Sequence, residues 1–216
     1  TQRAVIAEAV RVVDGAGNLY VGGYFTSIGT VPAQNIAKWD GNNWSALGSG
    51  IPPNARVLAL AVSGTTLYAG GAFARAGNTN ADNIAQWDGN VWSPVGSGLY
   101  IWVHALAVSG TDLYVGGDFT VANNAGPTTV TVNRIAKWNG SSWSALGSGL
   151  SGRVATLAVS GTDLYAGGFF TWASNAGPTA VTVSNIAKWD GSTWSALGSG
   201  VNSSVQALAV SGTNVY

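Results

Sequence analysis

The sequence of 216 residues contains no cysteine, no methionine and one histidine, and only 8% of its residues are charged. Lack of cysteine excludes disulfides, thiol catalysis and thiolate metal sites. A single histidine, His104, supports neither a usual zinc site nor a histidine-based triad. Glu8 is the one glutamate, and no pair of acids stands apart from turn sequences. We therefore expect no enzymatic activity, no metal and no cofactor, and a structural role for His104.

Charge is low and balanced, with nine basic and nine acidic residues. An ordinary soluble domain carries about 25% charged residues. No basic run is present, which argues against nucleic acid and anionic membrane as partners. No apolar run approaches the ~18–20 residues of a membrane span. A net charge near zero removes repulsion between copies and favours association with itself or with other surface proteins.

Glycine (31 residues) and tryptophan (10 residues) are abundant, and both recur in a repeat. A 16-residue stretch occurs four times with small changes, beginning at Asn35, Asn83, Arg134 and Asn185. Tyrosines at equivalent places lie 46 to 51 residues apart, at Tyr20, Tyr68, Tyr114, Tyr165 and Tyr216. That period matches a four-stranded propeller blade.

Each repeat contains four short strand signals separated by Gly, Asp, Asn and Ser clusters. The first, as in 57–62, is apolar on both faces, which is typical of a strand buried on both sides. The second contains a Gly-Gly pair, such as Gly70-Gly71, which predicts close packing by another backbone or by a bulky ring. The third and fourth join through Asp-Gly or Asn-Gly, so a tryptophan should flank each side of a hairpin turn. We expect these paired indoles to cover the glycines.

The order Leu-Tyr-x-Gly-Gly-x-Phe, followed by Ile-Ala-Lys-Trp-Asp-Gly-x-x-Trp, resembles a kelch-type repeat. It is more closely similar to repeats of the cortical polarity marker (Rax2-like) family and of bacterial surface proteins that carry such units. The resemblance implies a galactose-oxidase-like β-propeller at the cell surface. It does not imply oxidase activity, because a chain without cysteine and with one histidine cannot supply the copper ligands. The sequence also has fewer repeats than the six or seven blades usual in a kelch propeller.

The predicted fold is all-β: a β-propeller of four four-stranded kelch-like blades plus a surplus terminal strand. We expect one domain over 1–216. Its units span approximately 5–50, 51–98, 99–149 and 150–200, with a partial fifth at 201–216. No signal-peptide pattern precedes the first repeat and the sequence starts at Thr1, which favours a mature or excised fragment.

The two copies of strand one at the ends do not match. Glu8 and Arg11 stand where the other copies have Val57 and Leu60, and a charged pair suits an interior strand poorly. The N-terminal copy is therefore expected to face solvent, to face a partner, or to be displaced by the C-terminal copy. The predicted chain-end interface contains Glu8, Arg11, Val205, Leu208 and Val210.

Departures from repeat symmetry are where function is expected, because shared residues mostly build the fold. Five aromatic residues depart in this way: Tyr100, Trp102, Trp172, Tyr24 and Phe169. They are interpreted either as extra packing under loops or as an exposed platform for a sugar or protein partner. The turn aspartates Asp40, Asp88 and Asp190 and the later Asp112 and Asp163 are expected to be structural. The sequons at Asn43, Asn139 and Asn202 lie in ordinary polar turns.

The leading functional hypothesis is a non-enzymatic extracellular or cell-surface scaffold, structural or adhesive, that associates with itself by strand addition. The alternative is a carbohydrate-binding propeller module that uses the exposed aromatic residues. A glycan or another surface protein is accordingly the expected partner.

Overall fold

In the computed structural model, which describes residues 9–177, 179–212 and 214–216, every regular element is a β-strand. The chain divides into two compact units, one ending at Val103 and the other beginning at His104. Two four-stranded antiparallel sheets, with short hairpins beside them, belong to each unit. The prediction of an all-β chain with four-stranded sheets is therefore confirmed for these residues.

Among the described residues the first unit contains twelve strands, which form its two sheets and their hairpins. The first sheet contains β1 (Val10–Val13), β2 (Leu19–Gly22), β5 (Ile36–Trp39) and β6 (Trp44–Ala46), with the hairpin β3 (Ser27–Ile28) and β4 (Val31–Pro32). The second contains β7 (Arg56–Ser63), β8 (Thr66–Ala72), β11 (Ile84–Trp87) and β12 (Trp92–Pro94), with the hairpin β9 (Arg75–Ala76) and β10 (Thr79–Asn80). Within each sheet the strands follow one another as an antiparallel meander.

The third sheet begins at Val103 and otherwise lies in the second unit. It contains β13 (Val103–Ser109), β14 (Asp112–Gly117), β17 (Ile135–Trp138) and β18 (Trp143–Ala145), with the hairpin β15 (Val121–Asn123) and β16 (Thr129–Thr131). The fourth contains β20 (Val154–Ser160), β21 (Asp163–Gly168), β24 (Ile186–Trp189) and β25 (Trp194–Ala196). Beside it β19 (Gly149–Leu150), β22 (Trp172–Ser174) and β23 (Ala180–Thr182) form a three-stranded sheet, and β26 (Val210–Ser211) pairs with β27 (Asn214–Val215).

The hairpin between strands three and four of each sheet is built by local turn chemistry. In the first sheet Asp40 Oδ1 accepts hydrogen bonds from the backbone N–H groups of Asn42 and Asn43, at 2.8 and 2.7 Å. Gly41 between them has φ 100°, which a residue with a side chain rarely adopts. The turn sets Trp39 opposite Trp44 with ring centroids 5.4 Å apart. The predicted flanking of each turn by two indoles is confirmed.

The glycine pairs of strand two lie where neighbouring sheets approach closely. A Cβ built on Gly22 would lie 2.5 Å from Cγ1 of Val57, which is in the next sheet of the same unit. Gly116 meets Val154 in the same way. The second glycine, such as Gly71, faces the backbone of its own strand one. The expectation that the indoles cover these glycines is therefore wrong, because valine from the following sheet fills the space at the first glycine and the strand-one backbone fills it at the second.

Each unit has its own apolar core between its sheets. In the first unit Trp92 is buried and its Nε1 donates to the carbonyl of Leu47 at 2.9 Å. In the second, Trp194 is buried and donates to the carbonyl of Leu146 at 2.9 Å. Each indole thus fastens strand four of one sheet to the end of strand four of the sheet before it.

The N-terminal copy of strand one forms the edge of the first sheet. β1 pairs with β2 along its length, with Arg11 opposite Val21. The side chain of Arg11 is exposed, as expected for a copy that faces solvent. Displacement by the C-terminal copy, one of the expected alternatives, is therefore wrong. Glu8 lies outside the described residues.

The C-terminal copy packs on the fourth sheet. A Cβ on Gly167 would lie 2.6 Å from Cγ1 of Val205, and the Val205 N–H donates to the Gly168 carbonyl at 2.9 Å. Val205, Leu208 and Val210 are half-buried. This copy repeats the contact that Val57 makes with Gly22, so these three predicted interface residues already take part in packing within the second unit.

Among the described residues the structure contains no helix of sufficient length and apolarity to cross a membrane.

Candidate ligand-binding site

All five aromatic residues selected from the sequence have exposed side chains. Tyr24 is 60% exposed, Tyr100 78%, Trp102 52%, Phe169 72% and Trp172 44%. Their exposure leaves these side chains accessible to a ligand or partner.

Tyr24, Tyr100 and Trp102 belong to the first unit. Tyr24 follows β2, and the guanidinium of Arg56 lies over its ring with Cζ 5.2 Å from the centroid. Tyr100 and Trp102 lie in the connection between β12 and β13. The cation–π contact holds the Tyr24 ring in a fixed orientation at the surface.

Phe169 and Trp172 belong to the second unit, where the structure brings them together. Both line a concavity of about 340 Å³ together with Ser151 and Asn185. Ser151 Oγ accepts the backbone N–H of Trp172 at 3.2 Å, which fixes the start of β22. The fold therefore turns two residues separated in the sequence into one aromatic-lined surface.

A rule of position explains which side chains meet at this end of the sheets. The residue after a Gly-Gly pair contacts the residue that precedes the valine of the next strand one. In the first unit this pair is Tyr24 with Arg56, and in the second it is Asp118 with Arg153. Because these positions vary among the repeats while the glycines do not, they form a variable surface on a constant frame.

Asp118 is the centre of a polar group that we call the Asp118 cluster: His104, Asp118, Arg134 and Arg153. Asp118 Oδ1 accepts from Nε of Arg153 at 2.9 Å, and Oδ2 lies 2.8 Å from Nε2 of His104. The backbone carbonyl of Asp118 accepts a hydrogen bond from Nη1 of Arg134. One carboxylate residue thus holds three basic side chains in place.

The surroundings favour the charged forms of Asp118 and Arg153. Burial opposes ionisation of Asp118, but hydrogen bonds from Arg153 and His104 outweigh it and hold the pKa of that carboxyl below its usual range. The hydrogen bond to Asp118, partly offset by burial, raises the pKa of Arg153. The pair therefore stays ionised across the physiological pH range.

Arg134 occupies a backbone position that the other repeats give to asparagine. Its φ is 72°, and the equivalent Asn35, Asn83 and Asn185 have φ of 60°, 62° and 68°. Asparagine tolerates this left-handed conformation, whereas a long side chain is strained there by about 1 kcal/mol. The strain at Arg134 accompanies its contact with Asp118.

A second concavity, of about 380 Å³, opens beside the cluster. It is lined by Asp118, Arg153, Ala155, Phe169, Ser204 and Gln206. The Arg153 side chain is 52% exposed and is held through Nε, so its two terminal nitrogens have no hydrogen-bond partner among the described residues. An exposed ring, free guanidinium donors and an amide therefore surround one space. This combination can bind a polar ligand.

The predicted structural aspartates lie away from this space. Asp190 accepts backbone N–H groups of Ser192 and Thr193 in its turn, and these bonds lower the pKa of its carboxyl. Asp112 pairs with Lys137 at 3.1 Å, and Asp163 pairs with Lys188 at 2.7 Å. Among the described residues no group of three or more His, Cys, Asp or Glu is arranged to hold a metal ion.

The sequence interpretation missed the Asp118 cluster, although the signal was present. His104, Asp118 and Arg134 all depart from the repeat, and all three fall in the third copy. Arg153 joins them from the fourth copy. The predicted structural role of His104 fits its bond to Asp118, but the cluster as a whole borders the cavity that also contains Phe169.

No protein family and no curated protein matches the chain. Among solved structures the chain is similar to the crystal structure of a computationally designed protein, Ika8, with 14% identity and a TM-score of 0.54. The match covers 95% of this chain and 65% of the designed one. At this identity the likeness concerns the fold alone.

Proposed function

We propose that the chain is a non-enzymatic, propeller-type repeat domain that binds carbohydrate. The observation that carries this proposal is the cavity beside Phe169, where an exposed aromatic ring stands next to Arg153 and Gln206. A sugar offers C–H faces that pack on an aromatic ring and hydroxyl groups that need planar polar partners. Ligand sites generally combine apolar walls with a few convergent polar groups.

The four sheets are, in this proposal, blades of a kelch-type, Rax2-like propeller. Their antiparallel meander order, the 46- to 51-residue period and the packing of strand two on the next strand one support it. An extracellular or cell-surface location follows from the same resemblance and remains a prediction.

The scaffold hypothesis, with self-association by strand addition, has weaker support than carbohydrate binding. Strand addition needs a long exposed edge. At the strand-four edges of the four sheets, β6, β12, β18 and β25 are three residues each, and β12 contains Pro94. Short edges and proline are devices that discourage pairing between chains. Sedimentation velocity separates the hypotheses, because strand addition predicts concentration-dependent oligomers.

The test of carbohydrate binding is a glycan array followed by calorimetric titration of each hit with the full chain. We expect the Phe169→Ala variant to lose at least tenfold in affinity and Trp172→Ala to lose less. Tyr216→Ala is the matched control, because Tyr216 is equally exposed, at 71%, in the same unit. Loss of affinity in all three variants, or no glycan bound by the wild-type chain, would contradict the proposal.

A further inference from the structure

We infer that the ligand of the Asp118–Phe169 cavity is an acidic saccharide whose carboxylate is bound by Arg153. The inference rests on the proposed carbohydrate-binding function and names the class of sugar. It follows from three properties of the second unit: the local charge, the unused donors of Arg153 and the position of Phe169.

The local charge at the cavity is positive although the whole chain is neutral. The second unit has four acidic residues, and Asp118 is the one beside the cavity. Asp112 and Asp163 are paired with lysines at the start of strand two, six residues before the cavity end and so about 20 Å away. That distance exceeds the Debye length of about 8 Å at physiological salt.

Within the cluster, two guanidinium groups face one carboxylate when His104 is counted as neutral. One unit of positive charge is left over at the edge of the cavity. Both carboxylate oxygens of Asp118 are already engaged, by Arg153 and by His104. The cavity therefore offers donors to an incoming ligand more readily than acceptors.

The geometry of Arg153 suits a carboxylate. Its Nε donates to Asp118 at 2.9 Å, which restrains the plane of the guanidinium, and the end-on pair of N–H groups, one on each terminal nitrogen, points away from that bond. A guanidinium binds a carboxylate through two parallel hydrogen bonds, and fixing its orientation beforehand reduces the entropy lost on binding. Phe169 follows β21 and lies opposite Arg153, which precedes the paired strand β20. Its exposed ring is placed to contact the sugar ring.

Arg134 supports the same inference. The third repeat has arginine where a strained backbone favours asparagine. The side chain donates to the Asp118 carbonyl and adds the second positive charge. Without Arg134 the Arg153–Asp118 pair would be electrically neutral and would not favour an anion over a neutral sugar.

The test compares D-galacturonic acid oligomers with the same oligomers as methyl esters, titrated into the full chain at low and physiological salt. The ester keeps the shape of the sugar and removes its charge. We expect the acid to bind at least tenfold more tightly and its affinity to fall as salt is raised. Equal affinity for acid and ester would overturn the inference and leave carbohydrate binding intact, whereas no binding of any saccharide would overturn both.

Variants locate the effect. Arg153→Met should remove the preference for the acid, because it lowers the affinity for the acid much more than the affinity for the ester, and Arg153→Lys should keep part of the preference. The matched control is Arg56→Met, since Arg56 holds the equivalent place in the first unit but stacks on Tyr24 and forms no ion pair with an aspartate among the described residues. Circular dichroism checks that each variant is folded. An unchanged preference in folded Arg153→Met, or an equal loss in Arg56→Met, would refute the assignment.

Discussion

Replacing Asn35 by alanine should destabilise the first unit more than the same change at any equivalent position. Asn35 is completely buried. Its Oδ1 accepts the N–H of Phe25 at 2.8 Å, and its Nδ2 donates to the carbonyls of Pro52 at 2.6 Å and of Ile51 and Ala55 at 3.1 Å each. The side chain thus ties the end of strand two to the connection that leads into the second sheet.

The magnitude follows from what the substitution leaves behind. A hydrogen bond contributes about 1 kcal/mol net, and a buried partner left unsatisfied costs about 1–3 kcal/mol. Alanine at φ 60° adds about 1 kcal/mol of backbone strain. The total for Asn35→Ala is about 4 kcal/mol. Asn83 is half-buried and makes two such bonds, at 3.2 and 2.6 Å, so Asn83→Ala should cost about 2 kcal/mol.

Guanidinium chloride unfolding, followed by tryptophan fluorescence, measures both variants on the same unit. Asn35→Gly separates the two contributions, because glycine adopts this φ freely and loses only the hydrogen bonds. We expect the free energy of unfolding of the glycine variant to be about 1 kcal/mol higher than that of the alanine variant. Equal losses for Asn35→Ala and Asn83→Ala, or wild-type stability in Asn35→Gly, would refute the reasoning.

The remaining predictions use the same unfolding assay. Gly116→Ala should destabilise by about 2–3 kcal/mol because its Cβ meets Val154, and Val154→Ala in the same chain should recover part of the loss; Gly15→Ala, with open space around it, is the neutral control. Arg134→Asn should stabilise the fold by about 0.5–1 kcal/mol and weaken binding of the acidic saccharide, and a loss of stability would contradict the strain argument. Because the folded pKa of Asp118 lies below its unfolded value near 3.9, its stabilising contribution is present above that pH and is lost as the pH falls through the folded pKa. The midpoint temperature of thermal unfolding should therefore be constant from pH 5 to 7 and fall below about pH 4. A maximum of the midpoint temperature below pH 4 would contradict this.

The sheets were predictable because their signals are local. The Asp-Gly and Asn-Gly turns need only their own side-chain and backbone atoms, as Asp40 shows with the N–H groups of Asn42 and Asn43. For Phe169 and Tyr24 the sequence left packing under loops and exposure at the surface open, and the structure shows exposure. A residue that one repeat has and the others lack is not required by the shared core.

What could not be predicted depends on contacts between successive sheets. The valine that covers Gly22 lies 35 residues further along the chain, and nothing in the local pattern distinguishes it from an indole as the filler. Arg153 and Asp118 are likewise 35 residues apart and meet only through that packing. Their contact could have been predicted only if it were known which position of one repeat faces which position of the next.

The third repeat shows why departures from symmetry should be interpreted together. Arg134 alone is a strained arginine, and Asp118 alone is a carboxylate whose burial is unfavourable. His104 and Arg153 compensate Asp118 through its two oxygens, which would suffice for stability. Arg134 exceeds that requirement, because it adds charge at a backbone position where asparagine is better tolerated. If the network is purely structural, Arg134→Asn should raise stability and leave binding unchanged. If it is a binding site, the gain in stability should be accompanied by weaker binding. Measuring both properties in that one variant therefore separates the two explanations.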